Sequence, residues 1–217
     1  MCNYWSMHVL LVLDHPYGAA AHDNRPHDRS LVAAMVAAAR EGLDAAGHTH
    51  ELVDLAAIGF DPVLNADDLR AWRLETLARP DVLALQQQLA AADHLVLAFP
   101  TWWMSPPART KGYLDRVLTP GFAFDEPTPG AALVRRLHRL GGVTVLTAMT
   151  TPGLLYRTWF GSPLRYVLGR GTFQLIGIRR VRYLVIDRSG QRSSASRSRA
   201  LSRVSRSMKA LPTPSRP

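Results

Sequence analysis

At 217 residues with 47% apolar content, the chain fits one α/β domain with appendages, because single cores extend to roughly 250 residues. One cysteine, Cys2, excludes an internal disulfide framework and fits a reducing, cytoplasmic setting. The formal charge of +9 is concentrated at one end: residues 188–217 hold seven arginines, one lysine and no acid, which leaves residues 1–187 near neutral and excludes a basic nucleic-acid-binding body.

Met7–Asp14 (MHVLLVLD) reads as a buried first strand, ended by His15-Pro16. Its apolar run, Val9–Leu13, is far below the roughly 20 residues of a membrane span, so no membrane insertion is expected. A loop rich in His, Asp, Pro and Ala follows, and Asp28 is placed to cap a long helix that Gly47 stops. His48–Asp54 alternates polar and apolar residues as a second strand. Ala66–Leu77 and Asp81–Ala92 are helical, the latter opened by Pro80.

His94–Phe99 (HLVLAF) is a third strand, halted by Pro100, and Pro107–Leu118 a further helix. Val143–Ala148 and Val181–Ile186 supply strands four and five, with one or two short helices expected over residues 154–170. Strands alternating with helices predict a doubly wound, three-layer αβα domain over residues 7–187. Its five-stranded parallel sheet takes the flavodoxin-like order 2-1-3-4-5.

Leu201, Val204, Met208 and Leu211 recur at intervals of 3, 4 and 3 residues, one stripe of a helix. The basic segment 188–211 is therefore expected to end in an amphipathic helix packed on the domain, its arginines in water. A disordered, RNA-binding Ser/Arg tail is the rival reading, since nine of the last 30 residues are serine. Residues 1–6 and 212–217 are expected to be disordered.

In that strand order, ligands bind beyond the carboxyl ends of the strands, at the switch between strands one and three. Three loops converge there. The first, His15–Asp28, leads into a helix N-terminus suited to phosphate. The second, Pro100-Thr101-Trp102-Trp103-Met104, offers aromatic and backbone surface for a planar ring. The third, Thr147-Ala148-Met149-Thr150-Thr151, brings hydroxyls. No G-x-G-x-x-G follows a strand, and neither a P-loop nor a G-x-S-x-G elbow is present. His22, Asp23, His27 and Asp28 read as loop polarity rather than a metal site.

Phe99-Pro100-Thr101-Trp102-Trp103, followed by Pro107-Ala108 and Lys111-Gly112-x-x-Asp115-Arg116-Val117, resembles the signature of the flavodoxin-like NAD(P)H:quinone oxidoreductases. That family includes vertebrate quinone reductases and bacterial modulator-of-drug-activity proteins. Thr119–Phe124, Asp54-Leu55, Gly59–Leu64 and His15-Pro16 are similar to other family segments. The resemblance implies a homodimer binding FAD, or FMN as in some members. It also implies ping-pong transfer of two electrons from NAD(P)H, through flavin N5, to a quinone-like acceptor.

By matching position, Pro100, Thr101, Trp102, Trp103 and Met104 would line the flavin ring, and Thr147, Ala148, Thr150 and Thr151 would approach it. His15 and Asp28 would hold its ribityl or phosphate groups, and Tyr156 would stand as the active-site tyrosine. Lys111, Gly112, Asp115 and Arg116 would be structural. The chain departs from the family pattern by an insertion near Ala19–Arg25, and by threonines where the fourth loop carries glycines. Some relatives instead act as regulatory flavoproteins on potassium-efflux transporters, a second reading of the same resemblance.

Overall fold

A computed structural model of the protein describes residues 6–23, 29–74 and 79–212. In chain order its first half comprises β1 (His8–Leu13), α1 (Leu31–Asp44), β2 (Thr49–Asp54), α2 (Ala66–Leu74), α3 (Pro80–Ala91) and β3 (His94–Pro100). The second half comprises α4 (Ala108–Val117), β4 (Phe124–Asp125), β5 (Val134–Arg135), β6 (Gly142–Ala148), α5 (Gly153–Thr158), β7 (Val181–Ile186) and α6 (Ser194–Lys209). A π-helix spans Arg165–Gln174.

Five parallel strands form one sheet in the order β2-β1-β3-β6-β7, the arrangement expected from the sequence. Alternation along each strand sends side chains to opposite faces. Leu10, Leu95, Leu97 and Val145 join Leu85, Leu89 and Leu114 of α3 and α4 in one core. Val9, Leu11, Val96 and Leu146 join Met35, Leu43, Val204 and Met208 of α1 and α6 in the other. Helices therefore cover both faces.

The basic segment is an ordered helix. Ser193 caps α6 by accepting from the Ser196 amide, and Val204 and Met208 are buried against α1 while Arg199, Arg203 and Arg206 face outward. Gly42 sits where the helices cross, and a Cβ there would overlap the Ser205 carbonyl. Arg116 is buried in α4, where it donates to Asp68 and Asp81, both at 3.0 Å, and to the Asp61 carbonyl at 2.7 Å. It ties α4 to α2, to α3 and to the loop between β2 and α2, the structural role expected of it. Lys111 pairs with Asp115 one turn away.

Four expectations change. Ser30, whose hydroxyl accepts from the Ala33 amide at 3.0 Å, caps α1 in place of Asp28, which lies outside the described residues. Ser6 is not loose, because its hydroxyl donates to Gly47 O at 2.9 Å. The β4–β5 hairpin has two residues per strand, too few for periodicity to register. The expected second short helix takes π-helical form. Residues 1–5, 75–78 and 213–217, on which other expectations fall, lie outside the described residues. No helix among the described residues is long and apolar enough to cross a membrane.

Candidate active site

The strand order brings the carboxyl ends of β1, β3 and β6 side by side, and hydrogen bonds lock them. At the end of β1, the Asp14 amide donates to Ala98 O at 2.8 Å. Its carboxylate accepts from the amide and hydroxyl of Thr110 at 2.8 and 2.9 Å, anchoring the first turn of α4. At the end of β3, the Thr101 amide donates to Ala148 O at 2.9 Å, and the Thr101 and Thr147 hydroxyls meet at 2.7 Å.

Beyond Thr101 the chain makes a tight reversal. Trp102 and Ser105 exchange backbone hydrogen bonds of 3.1 and 2.9 Å, while Trp103 (φ 48°) and Met104 (φ 62°) take left-handed conformations. Two successive positive φ values are the signature of a type I′ turn, normally the preserve of Gly and Asn. A tryptophan held there is strained, and such strain concentrates at functional sites. The turn lifts the Trp103 side chain off the body, 99% exposed, beside Trp102 at 52%.

The loop after β1 is clasped by β2. Asp54 accepts from the Ala19 amide at 2.6 Å and from the Ala56 and Ala57 amides at 3.1 and 3.2 Å. Gly18, at φ 65°, passes so close that a Cβ would stand 2.8 Å from the Asp54 carboxylate. His15 is half-buried and accepts from the Tyr17 amide through Nδ1 at 3.3 Å. Burial holds its pKa below the usual imidazole value, against the opposing pull of Asp14 and Asp54, so it is a neutral hydrogen-bonding group at pH 7.

The loop after β6 is held from β7. The Asp187 carboxylate accepts from the Gly153 amide at 2.7 Å and from Arg192. Burial raises its pKa, but those hydrogen bonds win and keep it below the usual range. Thr150 is exposed and Thr151 half-buried. The amides of Trp103, Met104, Thr150 and Thr151 have no protein acceptor among the described residues.

The predicted residues thus assemble with differing exposure. His15, Pro100, Thr101, Trp102, Trp103, Met104, Thr150 and Thr151 gather at one edge of the sheet. Thr147 and Ala148 lie there too, but as buried residues of β6. The Thr147 hydroxyl is engaged with that of Thr101.

Tyr156 is also placed differently. It is 5% exposed, and its hydroxyl accepts from the Leu164 amide at 3.0 Å, with burial first among the causes raising its pKa. This phenol fastens the turn between α5 and the π-helix, the geometry of a positioning residue. Sequence reasoning did not single out the acids Asp54 and Asp187 as loop clasps. Their signal was available: each stands at a strand end, where loop amides need acceptors. It also passed over Trp159 and Phe160, exposed just beyond α5.

A flat ligand with a polar edge fits this arrangement. The exposed indoles supply apolar area, the four unengaged amides supply donors, and the Thr101–Thr147 hydrogen bond braces the floor.

Known proteins are similar in sequence and in fold. The chain is 39% identical over 75 residues to an uncharacterised NAD(P)H oxidoreductase, YcaK, of Escherichia coli, covering 34% of this chain and 38% of that one. It is 32% identical over 116 residues to the ribosyldihydronicotinamide dehydrogenase [quinone] of Rattus norvegicus, covering 46% and 50%. The chain thus spans half or less of the length of these two relatives.

Among solved structures, an NAD(P)H:quinone oxidoreductase from Methanothermobacter marburgensis superposes with a TM-score of 0.82 at 24% identity, over 96% of this chain and 100% of that one. An FMN-dependent NADH-azoreductase from Bacillus anthracis superposes at 0.71 with 16% identity, over 93% and 97%. At these identities the structures speak for the fold. Residues 7–208 match the family described as flavodoxin-like fold, and the chain belongs to that family.

Proposed function

We propose that the protein is a flavin-dependent NAD(P)H oxidoreductase that passes two electrons to a quinone-like acceptor. The observation that carries this reading is the strained Trp103-Met104 turn, presenting an exposed indole and unengaged amides beside the Thr101–Thr147 bracket. The sequence similarity to NAD(P)H oxidoreductases and quinone dehydrogenases supports it.

In this reading, Pro100–Met104 would hold the ring, and the Thr150 and Thr151 amides would serve its polar edge. His15 would stand toward the ribityl and phosphate groups, and the role expected of Asp28 falls outside the described residues. A bound flavin, FAD in the reading we favour over FMN, would supply two-electron redox chemistry between NAD(P)H and the quinone. The chain's own contribution is to bind and orient. Trp102 and Trp103 exclude water from one side of the ring, backbone donors favour negative charge at its polar edge, and neutral His15 adds a hydrogen bond without a full charge.

Exposed Leu154, Leu155, Trp159, Phe160 and Tyr166, on α5, the turn after it and the π-helix, support assembly as a homodimer, since apolar area of this kind is covered in most proteins. The single-cysteine composition supports a cytoplasmic location.

The test is direct. Purified protein is expected to be yellow, to lose its colour with NADPH under anaerobic conditions, and to regain it on addition of a quinone. Heat release and chromatography then identify FAD or FMN. Protein that stays colourless after addition of both flavins contradicts the proposal.

A further inference from the structure

At the opposite end of the sheet from the candidate active site, a cavity of about 260 Å³ opens at the amino ends of β3, β6 and β7. Arg179, Arg180, Arg182 and His94 are among its lining residues. Some arginines of the chain meet carboxylates: Arg116, Arg136, Arg139 and Arg192 each hold an aspartate. Arg179, Arg180 and Arg182 hold none among the described residues, although they fall within four positions of one another. Arg182 donates to the Ser207 hydroxyl at 2.7 Å, which fixes its position without neutralising it. Three cationic side chains lining one cavity favour an anion there.

The rest of the lining suits such an anion. His94 is 8% exposed, and its Nε2 pairs with the Thr144 hydroxyl at 2.9 Å. In the tautomer whose Nε2 accepts the Thr144 hydroxyl proton, Nδ1 carries the ring proton and can donate to an anion. Gly142 keeps the floor low, since a Cβ there would stand 3.1 Å from Arg180 O and 3.4 Å from the His94 ring. The one carboxylate in the lining, Asp93, is engaged by Arg139 at 2.9 and 3.2 Å and by the His8 amide at 2.7 Å, so its charge is locally balanced.

We propose that this cavity is a binding site for a compact, multiply charged anion of the phosphate-ester or diphosphate class, separate from the active-site cleft. Guanidinium groups favour this chemistry because their planar forks match phosphate oxygens in pairs. The cavity, about 260 Å³, has room for a small phosphorylated molecule.

The test uses the full-length protein, with inorganic diphosphate as the probe and inorganic phosphate as a second arm. Binding is followed by titration calorimetry at fixed ionic strength and by NMR of the His94 and Gly142 resonances. Saturable binding of diphosphate is expected, with shifts centred on His94 and Gly142. Arg179→Gln/Arg180→Gln should weaken it by at least about tenfold, as loss of paired charge-assisted bonds implies. Arg203→Gln/Arg206→Gln, which removes the same charge from the outer face of α6, should leave it within about twofold. Circular dichroism and thermal melting of each variant establish that it is folded. Absence of saturable binding overturns the proposal. So does equal weakening in the two double variants, which would mark a diffuse surface potential, and so do shifts confined to the loops around Trp103.

Discussion

The side-chain oxygens of Thr101 and Thr147 lie 2.7 Å apart, joining the first residue beyond β3 to the penultimate residue of β6. The Thr101 amide adds a second link to Ala148 O. Two of the three loops at the candidate site are thus positioned by groups that are themselves buried or half-buried. Thr147→Val leaves the Thr101 hydroxyl without its partner, at an expected cost of about 1–3 kcal/mol in denaturant unfolding. Adding Thr101→Val should recover much of that loss, because removing both polar groups can be nearly neutral. Recovery of stability in the double variant, read from unfolding midpoints, checks the pairing. A double variant that loses the sum of both single effects speaks against it.

Trp103 separates binding from folding. Its side chain is almost wholly in water, so Trp103→Ala should change stability by no more than about 0.5 kcal/mol, the range of exposed sites. Trp103→Gly should raise stability by relieving the positive φ that glycine adopts freely. Both should lower flavin occupancy of the purified protein, measured as the ratio of absorbance at 450 nm to 280 nm corrected for the lost indole. Unchanged occupancy removes Trp103 from the proposed site.

Stability should fall as pH drops from about 6.5 toward 4. Burial, with Arg182 adding to it, pushes His94 from the usual imidazole value to about 4. Between the two values the unfolded chain takes up a proton that the folded chain refuses, so acid favours unfolding there. A shift of this size is worth on the order of 3 kcal/mol. His15 and His48, both lowered by burial, act in the same direction. Asp81 and Asp187, held below the usual carboxylate range, lose their contribution only at still lower pH. His94→Gln should flatten the decline between pH 6.5 and 4.5, as read from unfolding free energies. An unchanged slope would rule out His94 as its source.

The sheet was legible because the buried strands are short β-branched or leucine-rich runs, two of them closed by a breaker: His15-Pro16 after β1, and Pro100 as the last residue of β3. From strand order alone, the meeting of the loops after β1, β3 and β6 followed. What stayed hidden depends on contacts distant in sequence. Thr147 reads equally as strand or loop, and only its pairing with Thr101, 46 positions away, places its hydroxyl inside. Asp28 and Ser30 are both good caps two residues apart, so composition does not choose between them. Tyr156 stands at a plausible offset for an active-site phenol, yet the Leu164 amide claims its hydroxyl. The π-helix runs through Gly169 and Gly171, which blur any helical period. Gly169 is there for a contact, since a Cβ would stand 2.9 Å from the Tyr183 hydroxyl.

The α1–α6 crossing predicts a sharp effect from a small change. Gly42→Ala would ordinarily strengthen a helix by about 0.5–1 kcal/mol. Here the added methyl meets the Ser205 backbone, so a net destabilisation of about 1–3 kcal/mol is expected from forced separation of the two helices. Thermal melting reads the sign. A stabilised Gly42→Ala protein would show that α6 does not pack against α1 in solution.

A crystal structure of the flavin-loaded protein tests the central claim most directly. The account predicts the tricyclic ring against the Trp102–Met104 turn, its polar edge facing the Thr150 and Thr151 amides. A ring bound at any other surface, with that turn still open to solvent, would contradict it.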